Sequence, residues 1–392
     1  MQEVIGTNNR ILEIDLTAKK FQVAEVNKKD RDLYLGGKGL GLKLLYDRME
    51  PGLDPLGPDN MIAFTMGILM GTGAPCSGRF EAITKSPLTG AMVTGTCGGP
   101  FGMAVKTSGW DAIIVKGKCA APTYLYIDSK GAQFRPAKGI WGKDTDAAQT
   151  ALLKEGSGAI VIGPAGENLV KYANVASGHR FLGRGGIGAV MGSKNLKGIV
   201  AKGGEFKIVP ANKKKFSKVN KQFFKFINKN PITSGSYRSY GTNANVNLSN
   251  ASGILPVRNF TGGSHGEAHK ISGETMAERF HTKFDTCKPC AILCGHRGTI
   301  NGKDRHIPEY ETIGLMGSNL EIFDPVQIVE WNELCSKYGL DTISTGGTLA
   351  WAMEATEKGL IKTNLKFGSP AGVSEMIRDI AYRKGIGNDL AE

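Results

Sequence analysis

The first half of the chain alternates apolar and polar residues over short segments, as β-strands do. Ile11–Leu16 and Phe21–Val26 alternate on either side of a Thr17-Ala-Lys-Lys turn, which predicts a β-hairpin. Further short apolar runs predict strands at Ala112–Val115, Tyr124–Ile127, Ala159–Ile162 and Gly198–Ala201. Helical spacing is limited to pieces, namely Leu40–Met49, Asp144–Lys154 and Gly185–Lys194. This part of the chain is therefore predicted to be β-rich.

The pattern becomes helical after Pro210. Lys213–Asn230 has an apolar face with helical period and a strongly basic remainder. The apolar face consists of Phe216, Val219, Phe223, Phe224 and Ile227. Three more helices are predicted, from Asp324-Pro325 to Gly339, over Thr342–Lys358, and from Ser369-Pro370 to near Gly385. The sequence thus predicts an α+β protein with a β-rich domain over residues 1–208 and a mainly helical domain over 209–392.

The glycine content and the net charge of the chain limit the kinds of ligand and partner to be expected. Glycine accounts for 54 of 392 residues and clusters at 36–41, 95–102 and 183–188, which suggests backbone brought close to a large ligand or, alternatively, many turns. The net charge of +13 is spread along the chain without a nucleic-acid-binding motif, so an anionic cofactor or an acidic protein partner suits it. No signal peptide or membrane-spanning run is visible, and we expect a cytoplasmic protein.

Three of the seven cysteines form a cluster with C-x2-C-x3-C spacing, Cys287, Cys290 and Cys294. Thiolates at this spacing suit an iron–sulfur cluster, which requires a fourth ligand, or zinc, with His296 completing a Cys3His set. Cys335 is a poor fourth ligand because it lies on the apolar face of a predicted helix. Spacing alone leaves both metals open.

Two glycine loops carry arginines nearby. Gly183-Arg-Gly-Gly-Ile-Gly188 matches G-x-G-x-x-G formally, but no buried strand precedes it, so a dinucleotide-binding fingerprint is weak. Pro75-Cys-Ser-Gly-Arg79 and Thr94–Gly102 supply a second arginine and another loop of small residues. Together they could hold a ligand with several phosphates. The alternative is that Arg79 and Arg184 pair with surface carboxylates.

Several long motifs occur in the order found in the aldehyde:ferredoxin oxidoreductase family, which the whole chain resembles. They include Gly73-Ala-Pro-Cys-Ser-Gly-Arg79, Thr84-Lys-Ser-Pro-Leu-Thr-Gly90, Gly109-Trp-Asp-Ala-Ile-Ile114, the loop from Gly183 to Lys194, the cysteine cluster, Pro308-Glu-Tyr-Glu-Thr312 and Gly339-Leu-Asp-Thr-Ile-Ser-Thr-Gly346. The resemblance implies a double β-sheet domain that carries the pterin, followed by helical domains. It also implies a tungsten or molybdenum bis-pterin, a [4Fe–4S] cluster and Mg²⁺ bridging the pterin phosphates.

The same resemblance assigns residues. Arg79 and Arg184 would contact the pterin phosphates, and the backbone around Thr96 and Gly185 would lie near the magnesium. Gly98, Gly99 and Gly186 would form the cofactor-binding loops. Asp341 would bond a pterin amine. Cys287, Cys290 and Cys294 would hold the cluster. Glu311, with Glu309 as the second choice, would be the catalytic acid/base. Asp341 could instead be only a helix N-cap, and Glu311 only an ion-pair partner.

The implied reaction is the oxidation of aldehydes to carboxylic acids, with electrons leaving through the cluster to ferredoxin or an iron–sulfur electron-transfer subunit. The basic segment Lys213–Lys229 could dock such an acidic partner, or it could be a solvated face. Homodimeric and hetero-oligomeric assemblies are both expected in this class. The family's third, helical domain, which would supply the fourth cluster cysteine, is missing from these 392 residues. Two alternatives remain: the metal–pterin subunit of a multi-subunit reductase, for example one acting on aromatic acyl-CoA, and a zinc-stabilised binding protein without redox activity.

Overall fold

A computed structural model describes residues 1–392, which form two compact units. The first comprises Met1–Asn220, Lys337–Leu340 and Ala391–Glu392, and the second comprises Lys221–Ser336 and Asp341–Leu390. This division cuts helix α7, Lys213–Lys229, near its middle. The domain boundary predicted at residue 208 lies just before that helix and stays a prediction.

The first unit is dominated by strands. These are β1 Gln2–Ile5, β2 Arg10–Asp15, β3 Lys20–Glu25, β4 Ile62–Met66, β5 Phe80–Lys85, β6 Met92–Cys97, β7 Ala112–Lys116, β8 Thr123–Asp128, β9 Gly131–Pro136, β10 Gly158–Val161, β11 Val175–Ser177, β12 Arg180–Leu182, β13 Leu196–Ala201 and β14 Phe206–Val209. Its helices are α1 Lys28–Tyr34, α2 Gly37–Tyr46, α3 Pro100–Thr107, α4 Thr145–Leu152, α5 Pro164–Glu167 and α6 Ile187–Ser193.

Two six-stranded sheets make up this unit, in the orders β3-β2-β7-β4-β5-β6 and β12-β11-β10-β13-β8-β9. Each is antiparallel except for one parallel pair, β2–β7 in the first and β8–β13 in the second. They share one core, which contains Phe64 of the first sheet, Phe101 of α3, and Ile160 and Leu182 of the second sheet. Strands β1 and β14 form a separate parallel pair. The predicted double β-sheet domain is confirmed.

The second unit is mainly helical. It contains α8 Tyr237–Tyr240, α9 Asn245–Ala251, α10 Gly273–Phe280, α11 Tyr310–Met316, α13 Thr342–Glu357, α14 Val373–Tyr382 and, except for its last two residues, α12 Pro325–Tyr338. None of the helices in the chain is both long and apolar enough to cross a membrane. Helix α14 begins at Val373 and not at the predicted Ser369-Pro370, because Gly372 has φ of +80° and cannot belong to a right-handed helix.

The sequence pattern missed a three-stranded sheet in this unit, formed by β15 Lys283–Phe284, β16 His296–Ile300 and β17 Lys303–His306. The buried face of β16 carries His296, Gly298 and Ile300. Only one of those three residues is apolar, so the alternation that marks a strand is hidden in the sequence. The sheet matters for function because the cysteine cluster lies between β15 and β16.

Helix α7 is confirmed, but its apolar face is largely exposed. Phe223 and Phe226 are 55% and 68% exposed, and Val219 is also exposed, whereas Ile227 is buried. No acidic residue interrupts its lysines. The helix therefore presents both apolar and cationic surface.

Candidate cofactor-binding site

The first glycine loop connects β6 to α3. Gly99 has φ of +85°, and a Cβ at this position would lie 2.2 Å from the carbonyl oxygen of Ser177. Only glycine fits both the conformation and the space. Gly98 is buried beside it, and α3 begins directly afterwards with Pro100 at its first position. The loop thus leads into the N-terminal end of an eight-residue helix, an end that favours anions, and the Phe101 N–H there donates to Ser177 Oγ at 3.4 Å.

Arg79 lies beside this loop because β5 pairs antiparallel with β6. The register sets Phe80 opposite Cys97 and Glu81 opposite Thr96, so Arg79, just before β5, reaches the end of β6. Its Nη2 donates to the Thr96 carbonyl at 2.6 Å, and the residue is exposed. The Thr96 carbonyl keeps a second lone pair, as coordination of a cation there would require.

Glu81 is a candidate site residue that sequence reasoning missed. Its Oε1 accepts a hydrogen bond from Thr96 Oγ1 at 2.5 Å, while its Oε2 is buried and has no hydrogen-bond partner. Burial raises the pKa of Glu81, against the lowering effects of the Thr96 hydrogen bond and of the Lys38 and Arg79 charges. An orphaned buried carboxyl oxygen is costly unless a ligand or solvent meets it. The available signal was a lone acidic residue inside the buried strand Phe80–Lys85.

The second glycine loop, between β12 and α6, lies beside the strand pair β5–β6. Gly186 has φ of +74°, and a Cβ there would lie 2.1 Å from the Lys171 carbonyl oxygen. A Cβ at Gly185 would lie 2.4 Å from Val93 of β6, and the Gly185 carbonyl accepts from Ser86 Oγ at 2.8 Å. The structure therefore brings both glycine loops to β6. Arg184 is exposed on the second loop.

The predicted acidic residues come together in the second unit. Helices α11 and α13 pack against each other, and Thr312 Oγ1 lies 2.7 Å from Thr342 Oγ1 near their N-terminal ends. Asp341 caps α13: its Oδ1 accepts from the backbone of Ile343, and its Oδ2 accepts from the backbone and hydroxyl of Ser344. The N-cap interpretation of Asp341 thus holds.

The two candidate acid/base residues differ in their surroundings. Glu309 Oε2 accepts from Thr242 Oγ1 at 2.7 Å, which fixes that carboxylate just before α11. Glu311 is exposed in the first turn of α11. Of the two, Glu311 has the carboxylate available for proton exchange.

The cysteine cluster forms a closed loop in the second unit. The backbone N–H of Asp285 donates to the Gly295 carbonyl at 2.8 Å and closes the base of the loop. Cys287, Cys290 and Cys294 are all partly exposed. No three His, Cys, Asp or Glu side chains of the chain are arranged to hold one metal ion. A four-iron cluster spreads its thiolates over separate irons and does not need that convergence.

The proposed zinc ligand His296 is engaged elsewhere. Its Nδ1 lies 3.2 Å from the Cys294 carbonyl oxygen and its Nε2 lies 3.0 Å from the Arg238 carbonyl oxygen. Both ring nitrogens face carbonyl oxygens, so zinc binding would require the side chain to turn, which counts against a Cys3His site in this conformation. Cys335 is fully buried, and burial raises the pKa of its thiol to about 12, which supports its exclusion as a thiolate ligand.

Orphaned polar atoms lie beside both groups of predicted ligands. In the first unit, Glu81 Oε2 lies on the strand pair that adjoins both glycine loops. In the second, Arg238 Nη2 donates to the Ala291 carbonyl inside the cysteine loop, while Arg238 Nε is buried without a partner. Buried donors and acceptors of this kind usually meet a ligand or water. The residues present therefore fit a group that offers a donor or a cation near Glu81 in the first unit and a hydrogen-bond acceptor, such as a cluster sulfur, near Arg238 in the second.

Two family descriptions match consecutive parts of the chain. "Aldehyde ferredoxin oxidoreductase, N-terminal domain" matches residues 11–203, and "Aldehyde ferredoxin oxidoreductase, domains 2 & 3" matches residues 218–392. The chain belongs to the aldehyde ferredoxin oxidoreductase family. The family resemblance and the α+β architecture predicted from the sequence are both confirmed.

Curated relatives in this family contain tungsten. The chain is 41% identical to the tungsten-containing aldehyde ferredoxin oxidoreductase of Pyrococcus furiosus and 40% identical to that of Thermococcus kodakarensis, in each case over 99% of its own length. It spans 66% of the length of these relatives. Among solved structures, it is similar to a chain of the active-site complex of benzoyl coenzyme A reductase bound to 1,5-dienoyl-CoA. That match has a TM-score of 0.85 and 27% identity, and it covers 98% of this chain and 62% of the other.

Proposed function

We propose that this chain forms the pterin- and cluster-binding part of an enzyme that oxidises aldehydes to carboxylic acids. The observation that carries the proposal is the combination of two glycine loops beside β6 with a closed three-cysteine loop. This combination occurs in a chain 41% identical to a tungsten-containing aldehyde ferredoxin oxidoreductase. When bound, a tungsten or molybdenum bis-pterin supplies two-electron chemistry and a [4Fe–4S] cluster carries the electrons away singly.

The binding roles follow from the surroundings of each residue. Arg79 and Arg184, both exposed, would pair with pterin phosphates as charge-assisted donors. The carbonyls of Thr96 and Gly185 would contribute oxygen ligands to Mg²⁺ through their remaining lone pairs. Gly98, Gly99 and Gly186 would let the phosphates approach the backbone. Asp341, already fixed as the α13 cap, would accept from a pterin amine. Cys287, Cys290 and Cys294 would hold the cluster.

Glu311 would hold and release the proton of the reaction. Its carboxylate is exposed, so it can take a proton from water at an Oε atom and return it to solvent. Glu309 would position the start of α11 through Thr242. This division makes Glu311 the catalytic residue and Glu309 its neighbour.

The electron acceptor would be ferredoxin or an iron–sulfur electron-transfer subunit. Helix α7 offers such a partner seven lysines without an acidic residue, together with the exposed Phe223 and Phe226. An acidic protein would gain both charge attraction and apolar contact there. The relatives are named for ferredoxin, and the benzoyl-CoA reductase match is a multi-subunit complex, so both kinds of partner have support.

Metal analysis of anaerobically purified protein tests the proposal first. We expect iron, together with tungsten or molybdenum and a pterin that fluoresces after oxidation. Zinc without any of these would leave the zinc-stabilised binding protein as the better explanation. Aldehyde-dependent reduction of a viologen dye by the metal-loaded protein then tests the reaction class.

The second candidate is the metal–pterin subunit of a reductase that acts on aromatic acyl-CoA. The similarity to the benzoyl-CoA reductase complex, with a TM-score of 0.85, is the observation that favours it. Oxidation of a dienoyl-CoA by the metal-loaded protein, without turnover of aldehydes, would select this candidate over the first.

A further inference from the structure

Arg238, which belongs to no motif in the sequence, joins the cysteine loop to the end of α7. Both hydrogens of its Nη2 are used, one toward the Ala291 carbonyl and one toward Asn228 Oδ1, each at 2.7 Å. Ala291 directly follows Cys290. All these residues belong to the second unit. The guanidinium thus fixes the stretch of loop between the second and third cysteines.

The backbone around Arg238 packs on the other end of the loop. Its carbonyl oxygen faces His296 Nε2 at 3.0 Å, and the other ring nitrogen of His296 faces the Cys294 carbonyl. A Cβ at Gly241 would lie 2.9 Å from that same Cys294 oxygen, so the two segments are in close contact. Side chain and backbone together therefore hold the loop at both sides of its third cysteine.

One donor of this arginine remains unused. Arg238 Nε is buried, and no acceptor of the chain meets its hydrogen. A buried cationic N–H without an acceptor is costly, so such groups are normally satisfied by something bound. Thiolate and sulfide sulfurs are acceptors of the matching charge, and the guanidinium already contacts the loop that carries the thiolates.

We propose that Arg238 is a positioning residue for the cluster: it holds the cysteine loop and donates its Nε–H to a sulfur of the cluster or of its cysteine ligands. The inference rests on the proposed cluster at Cys287, Cys290 and Cys294. A cationic donor to sulfur stabilises the more negatively charged reduced cluster and so raises its reduction potential. Nη2 would hold the shape of the loop, and Nε would raise the reduction potential of the cluster.

The test compares the full chain with Arg238→Gln, Arg238→Lys and the control Arg378→Gln. Arg378 carries the same charge but lies on α14, where it contacts Glu375 and Asp379. Each protein is reconstituted anaerobically with iron, sulfide and 2-mercaptoethanol, the last supplying the fourth ligand. Iron content and the midpoint potential from an EPR-monitored titration are measured. We expect a more negative midpoint potential in Arg238→Gln, a smaller shift in Arg238→Lys, and no shift in Arg378→Gln.

The outcomes separate this inference from the proposed function. A wild-type chain that takes up no iron contradicts the proposed function and this inference with it. If wild type and Arg238→Gln both take up iron and have equal midpoint potentials, this inference is contradicted and the proposed function is not. If Arg238→Gln and Arg238→Lys both lose iron, circular dichroism of the iron-free proteins decides. An intact fold supports the positioning role, and a lost fold shows a general structural role and overturns it.

Discussion

Replacing Gly186 by alanine tests whether the second glycine loop is shaped by backbone contact. The structure gives Gly186 φ of +74° and sets its virtual Cβ 2.1 Å from the Lys171 carbonyl oxygen and 2.8 Å from Pro87. The left-handed conformation costs an L-residue about 1–2 kcal/mol. The overlap with backbone, which cannot rotate away, adds about 1–3 kcal/mol by analogy with overpacked cores. We therefore expect Gly186→Ala to destabilise the chain by about 2–5 kcal/mol.

Gly52→Ala is the matched control. Gly52 has nearly the same φ, +78°, but no atom lies within 4 Å of its virtual Cβ. It should cost only the conformational part, about 1–2 kcal/mol. Alanine also reduces the entropy of the unfolded chain by the same amount at both sites, so that contribution cancels. The difference between the two variants isolates the contact with Lys171.

Urea denaturation followed by circular dichroism measures both variants against wild type. The reasoning predicts that Gly186→Ala loses about 1–3 kcal/mol more than Gly52→Ala. Equal losses would mean that the loop relaxes freely, and the loop would then not be a rigid support for phosphates. A larger loss in Gly52→Ala would refute the assignment of the contact altogether.

Three further results are expected. Glu311→Gln should lower the rate of viologen-linked aldehyde oxidation about 10²–10⁴-fold at unchanged metal content. Glu309→Gln, which can still accept from Thr242, should lower the rate far less, and equal losses would contradict the assignment of Glu311 as the catalytic residue. Cys335→Ala should leave iron content unchanged, because burial raises the thiol pKa to about 12, and iron loss comparable to that of Cys290→Ser would count against this. Burial lowers the pKa of Lys194 to about 8, so its protonated form destabilises the fold below that pH. Between pH 8 and about pH 10.4, the pKa of lysine in the unfolded chain, the free energy of unfolding of the wild type should rise by about 1.4 kcal/mol per pH unit relative to that of Lys194→Met. Parallel curves of unfolding free energy against pH for the two proteins would refute this prediction.

The parts of the fold that the sequence predicted have strong local signals. The hairpin of β2 and β3 follows from alternation around a turn, and α13 follows from a helical period with Asp341 as its cap. The sheet around the cysteine loop could not be predicted, because its strands are two to five residues long and its buried face uses histidine and glycine. Short polar strands derive their stability from tertiary contacts that no local pattern reports.

The residues of the candidate site also fall into two groups, those that the sequence predicted and those that it did not. Cysteine and glycine motifs are visible because their chemistry requires particular residue types at fixed spacing. Glu81 and Arg238 were missed because their signal is a buried atom without a partner, Oε2 of Glu81 and Nε of Arg238. The residues that they contact through their other atoms, Thr96 and Ala291, lie 15 and 53 residues away in the sequence. Neither residue type nor spacing reveals an orphaned donor or acceptor. Such atoms become visible only when burial and hydrogen bonds are considered together.

The cysteines of the second unit limit how a cluster there can be completed. Cys287, Cys290 and Cys294 are partly exposed in a closed loop, and the remaining cysteine of this unit, Cys335, is fully buried with its thiol pKa raised to about 12. A protonated, buried thiol is a poor nucleophile and a poor metal ligand at neutral pH. Cys335 is therefore a poor fourth ligand for a cluster held by the other three cysteines. If a cluster forms at these three cysteines, we expect added 2-mercaptoethanol, as an external thiolate, to raise the iron content of the reconstituted wild-type chain, and an iron content that does not respond to added thiol would contradict this expectation.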